Sequence, residues 1–199
     1  GWVLGETLIT GIGQGYTQTT PLQLCLMTAQ IANGGYKISP KIIVNNKPLN
    51  FLEAKKNMEL RSSIDPNLKL IKDKKNLEIV QKAMFSSTNE IRGTSYRSRI
   101  DDPKYQFAGK TGTAQVKRIS KRERELDLKI EQIPYNDRDH ALYVAYGPYV
   151  NPRYAISIIV EHGGSGSKAA APMAKELFKL IIDRDGLREK QSNFEEIDI

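Results

Sequence analysis

Two runs of β-branched and aromatic residues that flank a short turn constrain the fold most strongly. The runs are residues 142–146 and 154–161, and the turn between them contains Gly147, Pro148 and Pro152. Such runs favour strands, and a short connection rich in Gly and Pro joins antiparallel neighbours. We therefore predict an antiparallel hairpin with strands near 142–147 and 153–161.

A third strand and a helix extend this unit. Residues 106–116 are predicted to form a strand that contains Lys110-Thr111-Gly112-Thr113. Apolar residues repeat at helical spacing over 169–182, which predicts an amphipathic helix that covers one face of the sheet. The fold class this indicates is α/β (α+β), an antiparallel sheet flanked by helices. We expect residues 1–185 to form the domain and residues 186–199 a charged tail that frays.

The first half of the chain is less regular. Four glycines between positions 5 and 15 predict a loop over residues 1–19. Thr20 and Pro21 are typical of a helix start, so residues 20–33 are predicted to form a buried helix in a neighbouring all-helical region. A further helix is expected over residues 74–85. Short β-like pieces lie at 41–44 and 49–52.

Composition and charge exclude several classes of protein. No stretch approaches roughly 18 consecutive apolar residues, so none of these residues is expected to span a bilayer as a helix. One Cys cannot close an intrachain disulfide. The 30 basic and 23 acidic side chains give a net charge of +7, but both signs alternate over residues 117–125, which is typical of a solvated, ion-paired face. We therefore expect no nucleic-acid partner.

The segment Lys110-Thr111-Gly112-Thr113 is the strongest chemical signal. A lysine supplies positive charge, two hydroxyls donate hydrogen bonds and glycine permits close backbone approach, a combination that suits a carboxylate or an oxyanion. Strand alternation puts Thr111 and Thr113 on one face and Lys110 on the other. A twisted edge strand and the long lysine stem must therefore bring them together. The alternative interpretation is a surface lysine beside threonines in an ordinary strand.

Six segments place this motif in a known context. In chain order they are residues 11–16, 20–24, 31–35, 108–115, 139–142 and 160–164. Together they resemble the C-terminal part of the transpeptidase domain of the penicillin-binding protein 2 family, the class B, monofunctional enzymes of cell elongation, in their alphaproteobacterial form. The resemblance covers nearly the whole chain and is weakest over residues 45–75 and in the tail. It implies a penicillin-binding-protein/serine β-lactamase-like transpeptidase fold, incomplete in these residues.

The resemblance also implies an activity. Members of the family are peptidoglycan D,D-transpeptidases that cross-link stem peptides through a serine acyl-enzyme and are inhibited by β-lactams. It assigns Lys110 to the pocket wall and proton network, and Thr111, Gly112 and Thr113 to binding of the substrate or penicillin carboxylate. The Thr113 N–H is assigned to the oxyanion hole. No cofactor or metal is implied.

The implied partners are stem peptides that end in D-Ala-D-Ala, β-lactams and, as a further candidate, the membrane proteins of the elongation machinery. The implied location is the periplasmic face of the bacterial inner membrane. The family's nucleophile belongs to a Ser-x-x-Lys motif, and a second motif is Ser-x-Asn or Ser-Asp-Asn. Both lie upstream of the Lys-Thr-Gly strand in the family.

Two segments match those motifs only formally. Ser165-Gly166-Ser167-Lys168 follows the Lys110 strand, whereas the family's nucleophile precedes it, so we interpret this segment as the loop into the last helix. Ser87-Thr88-Asn89 lies about twenty residues before Lys110, where a helix end is expected, and we interpret it as a cap. We therefore expect the nucleophile and the membrane anchor to be absent from these residues, and the chain alone to be an inactive fragment.

Other candidate sites have simpler interpretations. The glycines of residues 11–15 resemble a dinucleotide loop, but no convincing strand precedes them and residues 31–35 lack the acidic ribose ligand. Cys25 lies mid-helix among apolar neighbours and is interpreted as a core thiol. His140 and His162 lie at strand boundaries without metal-ligand spacing.

Alternatives to a transpeptidase stay open. A β-lactamase, a β-lactam sensor or a D,D-carboxypeptidase differs in deacylation, which the Lys-Thr-Gly motif does not encode. A non-catalytic scaffold module would lack the nucleophile motifs in its complete gene as well. The charged segment 118–131 is a solvated excursion or a partner contact.

Overall fold

The computed structural model describes residues 1–40, 64–117 and 128–195, without the side chains of residues 64–67 and 187–195. The β-like pieces at 41–44 and 49–52 and most of the charged segment lie outside these ranges. The helices are α1 (Leu4–Gly11), α2 (Pro21–Ala32), α3 (Lys74–Asn89) and α4 (Ala171–Glu195), and the strands are β1 (Tyr36–Ile38), β2 (Ile64–Lys69), β3 (Ala108–Ala114), β4 (His140–Gly147) and β5 (Tyr154–Val160).

Three strands form an antiparallel sheet in the order β3-β4-β5. Strands β4 and β5 are the predicted hairpin. Strand β3 pairs with β4 along its whole length, from Ala108 opposite Tyr146 to Ala114 opposite His140. The other side of β3 is an edge of the described sheet. The three predicted strands are confirmed, and their ends differ from the predictions by at most two residues.

Helix α4 covers one face of this sheet, as predicted. The core between α4 and the sheet consists of small side chains and aromatic rings. The fully buried members are Phe107, Ala141, Tyr143, Ala145, Ala170, Ala171, Ala174 and Phe178. The alanines let the helix backbone approach the sheet, and the Phe178 ring stacks on Phe107 with centroids 4.9 Å apart.

Helix α4 is longer than predicted. It continues to Glu195, so residues 186–195 of the expected charged tail belong to the helix. Leu, Arg, Glu, Lys and Gln at 187–191 are good helix formers, which explains why the helix continues beyond its apolar stripe.

Helices α2 and α3 cover the opposite face. Helix α2 lies against β4 and β5, and α3 lies against β3. Met84 and Tyr146 are buried in this layer. The expectation that residues 20–33 form a buried helix in a neighbouring all-helical region is therefore wrong, because α2 lies on the sheet and, of its residues, Thr28 alone is buried. A helix that is apolar nearly all round can bury against helices or a sheet, and its pattern does not specify which.

Local side chains set the starts of both helices. The Thr20 hydroxyl accepts the Gln23 N–H at 3.2 Å, and the Gln23 side chain accepts the Thr20 N–H at 2.8 Å. At the start of α3 the Asp73 carboxylate accepts two backbone N–H groups. Such caps satisfy donors that lack helical partners. Within the described ranges, no helix combines the length and apolar character needed to cross a membrane.

The predicted loop over residues 1–19 is wrong where α1 forms. The Glu6 carboxylate accepts the backbone N–H of the residue before the helix at 3.0 Å. Gly13 and Gly15 have positive φ and follow the helix, whereas the other two glycines of the run lie within it. The number of glycines therefore overstated the irregularity, because only two of them occupy positions that need glycine. No residue of α1 is buried.

A small second sheet was not predicted. Strands β1 and β2 pair antiparallel, with Tyr36 opposite Lys69. Strand β2 has the sequence Ile-Asp-Pro-Asn-Leu-Lys, and Pro, Asp and Asn are depleted in strands. The composition of residues 64–69 therefore gave no signal for a strand.

Candidate functional site

The motif Lys110-Thr111-Gly112-Thr113 lies on β3, at the edge of the described sheet. Thr111 is opposite Tyr143, which belongs to the layer beneath α4. Lys110 is opposite Val144, which belongs to the layer beneath α2 and α3. The alternation predicted for the motif is confirmed.

The Lys110 side chain lies along its own strand and reaches the backbone of the next residue. Lys110 Nζ donates a hydrogen bond to the carbonyl oxygen of Thr111 at 2.7 Å. Lys110 and Thr113 are exposed and Thr111 is half-buried. The motif therefore presents a cation and hydroxyl groups at an accessible sheet edge, rather than inside either core layer.

The turn before α4 packs against the motif backbone. This π-helical turn, Gly166–Ala170, begins at the buried Gly166. A Cβ at Gly166 would overlap the carbonyl oxygen of Leu142 and lie 2.7 Å from that of Gly112. The formal Ser-x-x-Lys match is thus the connection into the last helix, as interpreted. The contact of Gly166 with the Gly112 carbonyl supports the middle of the motif from the side of the sheet that α4 covers.

Gly166→Ala is expected to lower the free energy of unfolding by about 1–3 kcal/mol, because the new methyl group overlaps two backbone carbonyls. Urea unfolding measures this change. Gly186→Ala is the matched control, since a Cβ there meets nothing within 4 Å. In a helix that change is neutral or stabilises by up to about 1 kcal/mol. Equal stabilities of the two variants would show that Gly166 does not pack as described.

A buried hydroxyl cluster joins α3 to β4. Thr88 Oγ1 and Ser95 Oγ lie 2.9 Å and 3.1 Å from Tyr143 Oη. Burial raises the pKa of Tyr143, so its phenol stays protonated near neutral pH. The cluster is sealed in the core and holds the strand opposite Thr111.

A second set of hydroxyls reaches the motif itself. Thr94 Oγ1 lies 3.2 Å from Ser87 Oγ on α3 and 3.2 Å from Thr111 Oγ1 on β3. We call Ser87, Thr94 and Thr111 the hydroxyl row. Sequence reasoning missed Thr94. The available signal was a run of turn-forming residues, Gly93-Thr94-Ser95, between α3 and the motif strand.

The formal Ser-x-Asn match lies in the last turn of α3, which runs to Asn89, four residues beyond the predicted range of 74–85. Its side chains do more than cap the helix. Ser87 belongs to the hydroxyl row, Thr88 to the buried cluster, and Asn89 Nδ2 donates to the carbonyl of Phe107 at 2.9 Å. The three residues attach α3 to the sheet.

Cys25 and the glycine run have structural roles. The Cys25 thiol is half-buried on α2 and donates to the carbonyl of Ala155 at 3.3 Å. Burial raises the pKa of the thiol, which disfavours a nucleophilic thiolate and agrees with a core thiol. A helix rather than a strand precedes the glycines of residues 11–15, which does not fit a dinucleotide loop.

The two histidines meet at the ends of β4 and β5. The His162 N–H donates to His140 Nδ1 at 2.9 Å, and His162 Nδ1 lies 3.0 Å from the carbonyl oxygen of Arg138. These bonds use ring nitrogens to join backbone segments. In the part of the chain that the structure describes, no group of three or more His, Cys, Asp or Glu residues could hold a metal ion.

The family model of the penicillin binding protein transpeptidase domain matches residues 1–179. The chain is 33% identical over 182 residues to the peptidoglycan D,D-transpeptidase MrdA of Salmonella typhimurium strain SL1344, covering 92% of this chain and 28% of that protein. It is 35% identical over 179 residues to MrdA of Acinetobacter baumannii, covering 89% of this chain and 24% of that protein.

Solved structures agree with the sequence matches. Pseudomonas aeruginosa PBP2 in complex with WCK 5153 is 35% identical with a TM-score of 0.64, covering 90% of this chain and 34% of that one. Helicobacter pylori PBP2 in complex with MreC is 34% identical with a TM-score of 0.62, and the match covers 90% of this chain and 28% of that one. The chain spans about a quarter to a third of the length of these relatives. It belongs to the penicillin-binding protein transpeptidase domain family.

Proposed function

We propose that these 199 residues are the C-terminal part of the transpeptidase domain of a peptidoglycan D,D-transpeptidase, and that Lys110, Thr111, Gly112 and Thr113 form one wall of its active site. The observation that carries this proposal is the accessible edge strand with a cation and hydroxyls. Relatives named D,D-transpeptidases support it.

The reaction sets clear electrostatic demands. A serine oxygen attacks the carbonyl carbon of the penultimate D-Ala, and negative charge develops on the carbonyl oxygen. The C–N bond then breaks, and the terminal D-Ala leaves after its nitrogen accepts a proton. An amine from a second stem peptide displaces the serine and forms the cross-link. The oxyanion and the terminal carboxylate both require hydrogen-bond donors.

The motif supplies donors of this kind. The hydroxyls of Thr111 and Thr113 donate to the terminal carboxylate, and the Thr113 N–H donates to the oxyanion. The Lys110 ammonium contributes positive charge and belongs to the proton network. Gly112 leaves room for a ligand backbone beside the strand. A β-lactam with a carboxylate fits the same wall, and the reaction requires no cofactor.

The attacking serine is proposed to come from outside these residues. Ser165 Oγ lies 3.0 Å from Ser167 Oγ in the turn before α4, and Ser87 is engaged in the hydroxyl row. The relatives are three to four times longer than the matched region, which leaves room for a nucleophile and an anchor. We place the protein at the periplasmic face of the inner membrane, with the membrane proteins of elongation as candidate partners.

A fluorescent penicillin is expected to label the full-length protein at a serine outside residues 1–199. Peptide mapping by mass spectrometry locates the adduct. Ser165→Ala should retain full labelling, since Ser165 is not the nucleophile. An adduct on Ser165 or Ser87 would refute the proposed division of the site. Complete absence of labelling would instead favour the scaffold alternative.

A further inference from the structure

The hydroxyl row leads from α3 to the proposed carboxylate site. Its two oxygen–oxygen distances, Ser87 to Thr94 and Thr94 to Thr111, are both 3.2 Å. Ser87 and Thr111 are half-buried, and Thr94 is exposed. The middle member of the row is therefore open to solvent, directly beside the Thr111 hydroxyl.

Counting hydrogens determines the direction of the row. Each hydroxyl has one hydrogen to donate and can accept two, whereas a carboxylate only accepts. If Thr111 donates to a carboxylate, its oxygen must accept from Thr94, and Thr94 must in turn accept from Ser87. All three hydrogens then point toward the ligand, and each bond polarises the next.

The turn that carries Thr94 is fixed on both sides. The Ser95 N–H and hydroxyl both donate to the carbonyl oxygen of Ser87, each at 3.0 Å. A Cβ at Gly93 would overlap the same carbonyl oxygen, so glycine is required for this approach. Thr94 is therefore positioned before any ligand binds, which reduces the entropy lost on binding.

The buried hydroxyl cluster next to the hydroxyl row has a different role. Thr88, Ser95 and Tyr143 bond to one another in the core and present no donor to solvent. They hold the backbone of the strands. Of these two sets of hydroxyls, the hydroxyl row is the one with a member exposed to solvent.

We propose that Thr94 is a positioning residue for carboxylate recognition: its hydroxyl directs the Thr111 hydrogen toward the carboxylate of the stem peptide or the β-lactam. The role rests on the proposed function, because Thr111 must be a carboxylate contact for its orientation to matter. It extends that function to a residue outside the motif, on the connection between α3 and β3.

Acylation by two probes tests this role in the full-length protein. Thr94→Val replaces the hydroxyl by a methyl group of similar size. It is expected to lower the second-order rate constant for benzylpenicillin about tenfold, since hydrogen bonds to charged groups are the stronger class. The rate for benzylpenicillin methyl ester, which lacks the carboxylate charge, should stay within about twofold. Thr94→Ser should restore the benzylpenicillin rate.

Ser86→Ala is the matched control. It removes a neighbouring hydroxyl that donates to Glu90 at 2.8 Å and lies outside the row. The ratio of the acylation rate for benzylpenicillin to that for its methyl ester should therefore not change. Equal losses with both probes, or no loss with benzylpenicillin, would overturn the role of Thr94.

Two further results separate the proposals. Wild-type protein that neither probe acylates would overturn the proposed function and the role of Thr94 with it. If Thr94→Val does not fold, Ser87→Ala breaks the row one bond earlier and should lower the same ratio by a smaller factor. An unchanged ratio in Ser87→Ala would then overturn the positioning role.

Discussion

Lys110→Ala is expected to slow acylation by benzylpenicillin by about a hundredfold or more in the full-length protein. The substitution removes the cation of the motif, whose ammonium lies against the Thr111 carbonyl. Thr113→Val should cause a loss of the same order, because it removes an exposed donor from the proposed carboxylate contact. The measurement is the second-order rate constant of acylation.

Lys104→Ala controls for the loss of one positive charge. Lys104 bonds Asp183 at 3.2 Å on the exposed surface, and acylation should change by no more than about twofold. Since Lys110 is exposed, its replacement should alter the free energy of unfolding by no more than about 0.5 kcal/mol. Wild-type acylation rates in Lys110→Ala and Thr113→Val would remove the motif from the active site.

Phe178→Ala is expected to lower the free energy of unfolding by about 3–5 kcal/mol. Phe178 is 0% exposed, and its ring stacks on Phe107 between α4 and the sheet. Truncation leaves a cavity beside the Phe107 ring and the Gly147 backbone. Urea denaturation of the full-length protein measures the change.

Leu180→Ala on the same helix provides the comparison. Leu180 is 67% exposed, so its truncation should change stability by about 0.5 kcal/mol or less. A loss at Leu180 as large as that at Phe178 would mean that the face of α4 assigned to the sheet is wrong.

Local chemistry made several elements predictable. The strands of the hairpin, the third strand and the start of α2 follow from side-chain types that act on their own backbone. Thr20 and Gln23 satisfy helix N–H groups within three residues of each other, and β-branched runs favour extended backbone wherever they occur. The motif on β3 was recognisable for the same reason, because its four residues are adjacent in the chain.

Elements with weak local signals were missed. Helix α1 contains glycines and buries no residue, and β2 contains proline and polar residues. The placement of α2 on the sheet and its burial were also mispredicted, since an apolar pattern specifies neither the partner of a helix nor how much of the helix that partner covers.

The amino-acid order alone determined the strands, the helix starts and the identity of the Lys110 motif, because these depend on neighbours a few residues apart. The tertiary structure decided which face each helix covers and which hydroxyls surround Thr111. Ser87, Thr94 and Thr111 come from a helix, a turn and a strand, and their 3.2 Å spacings exist only when those three segments are packed together. Hydrogen bonding depends on distance in space, and spacing along the chain does not specify that distance for residues on separate elements.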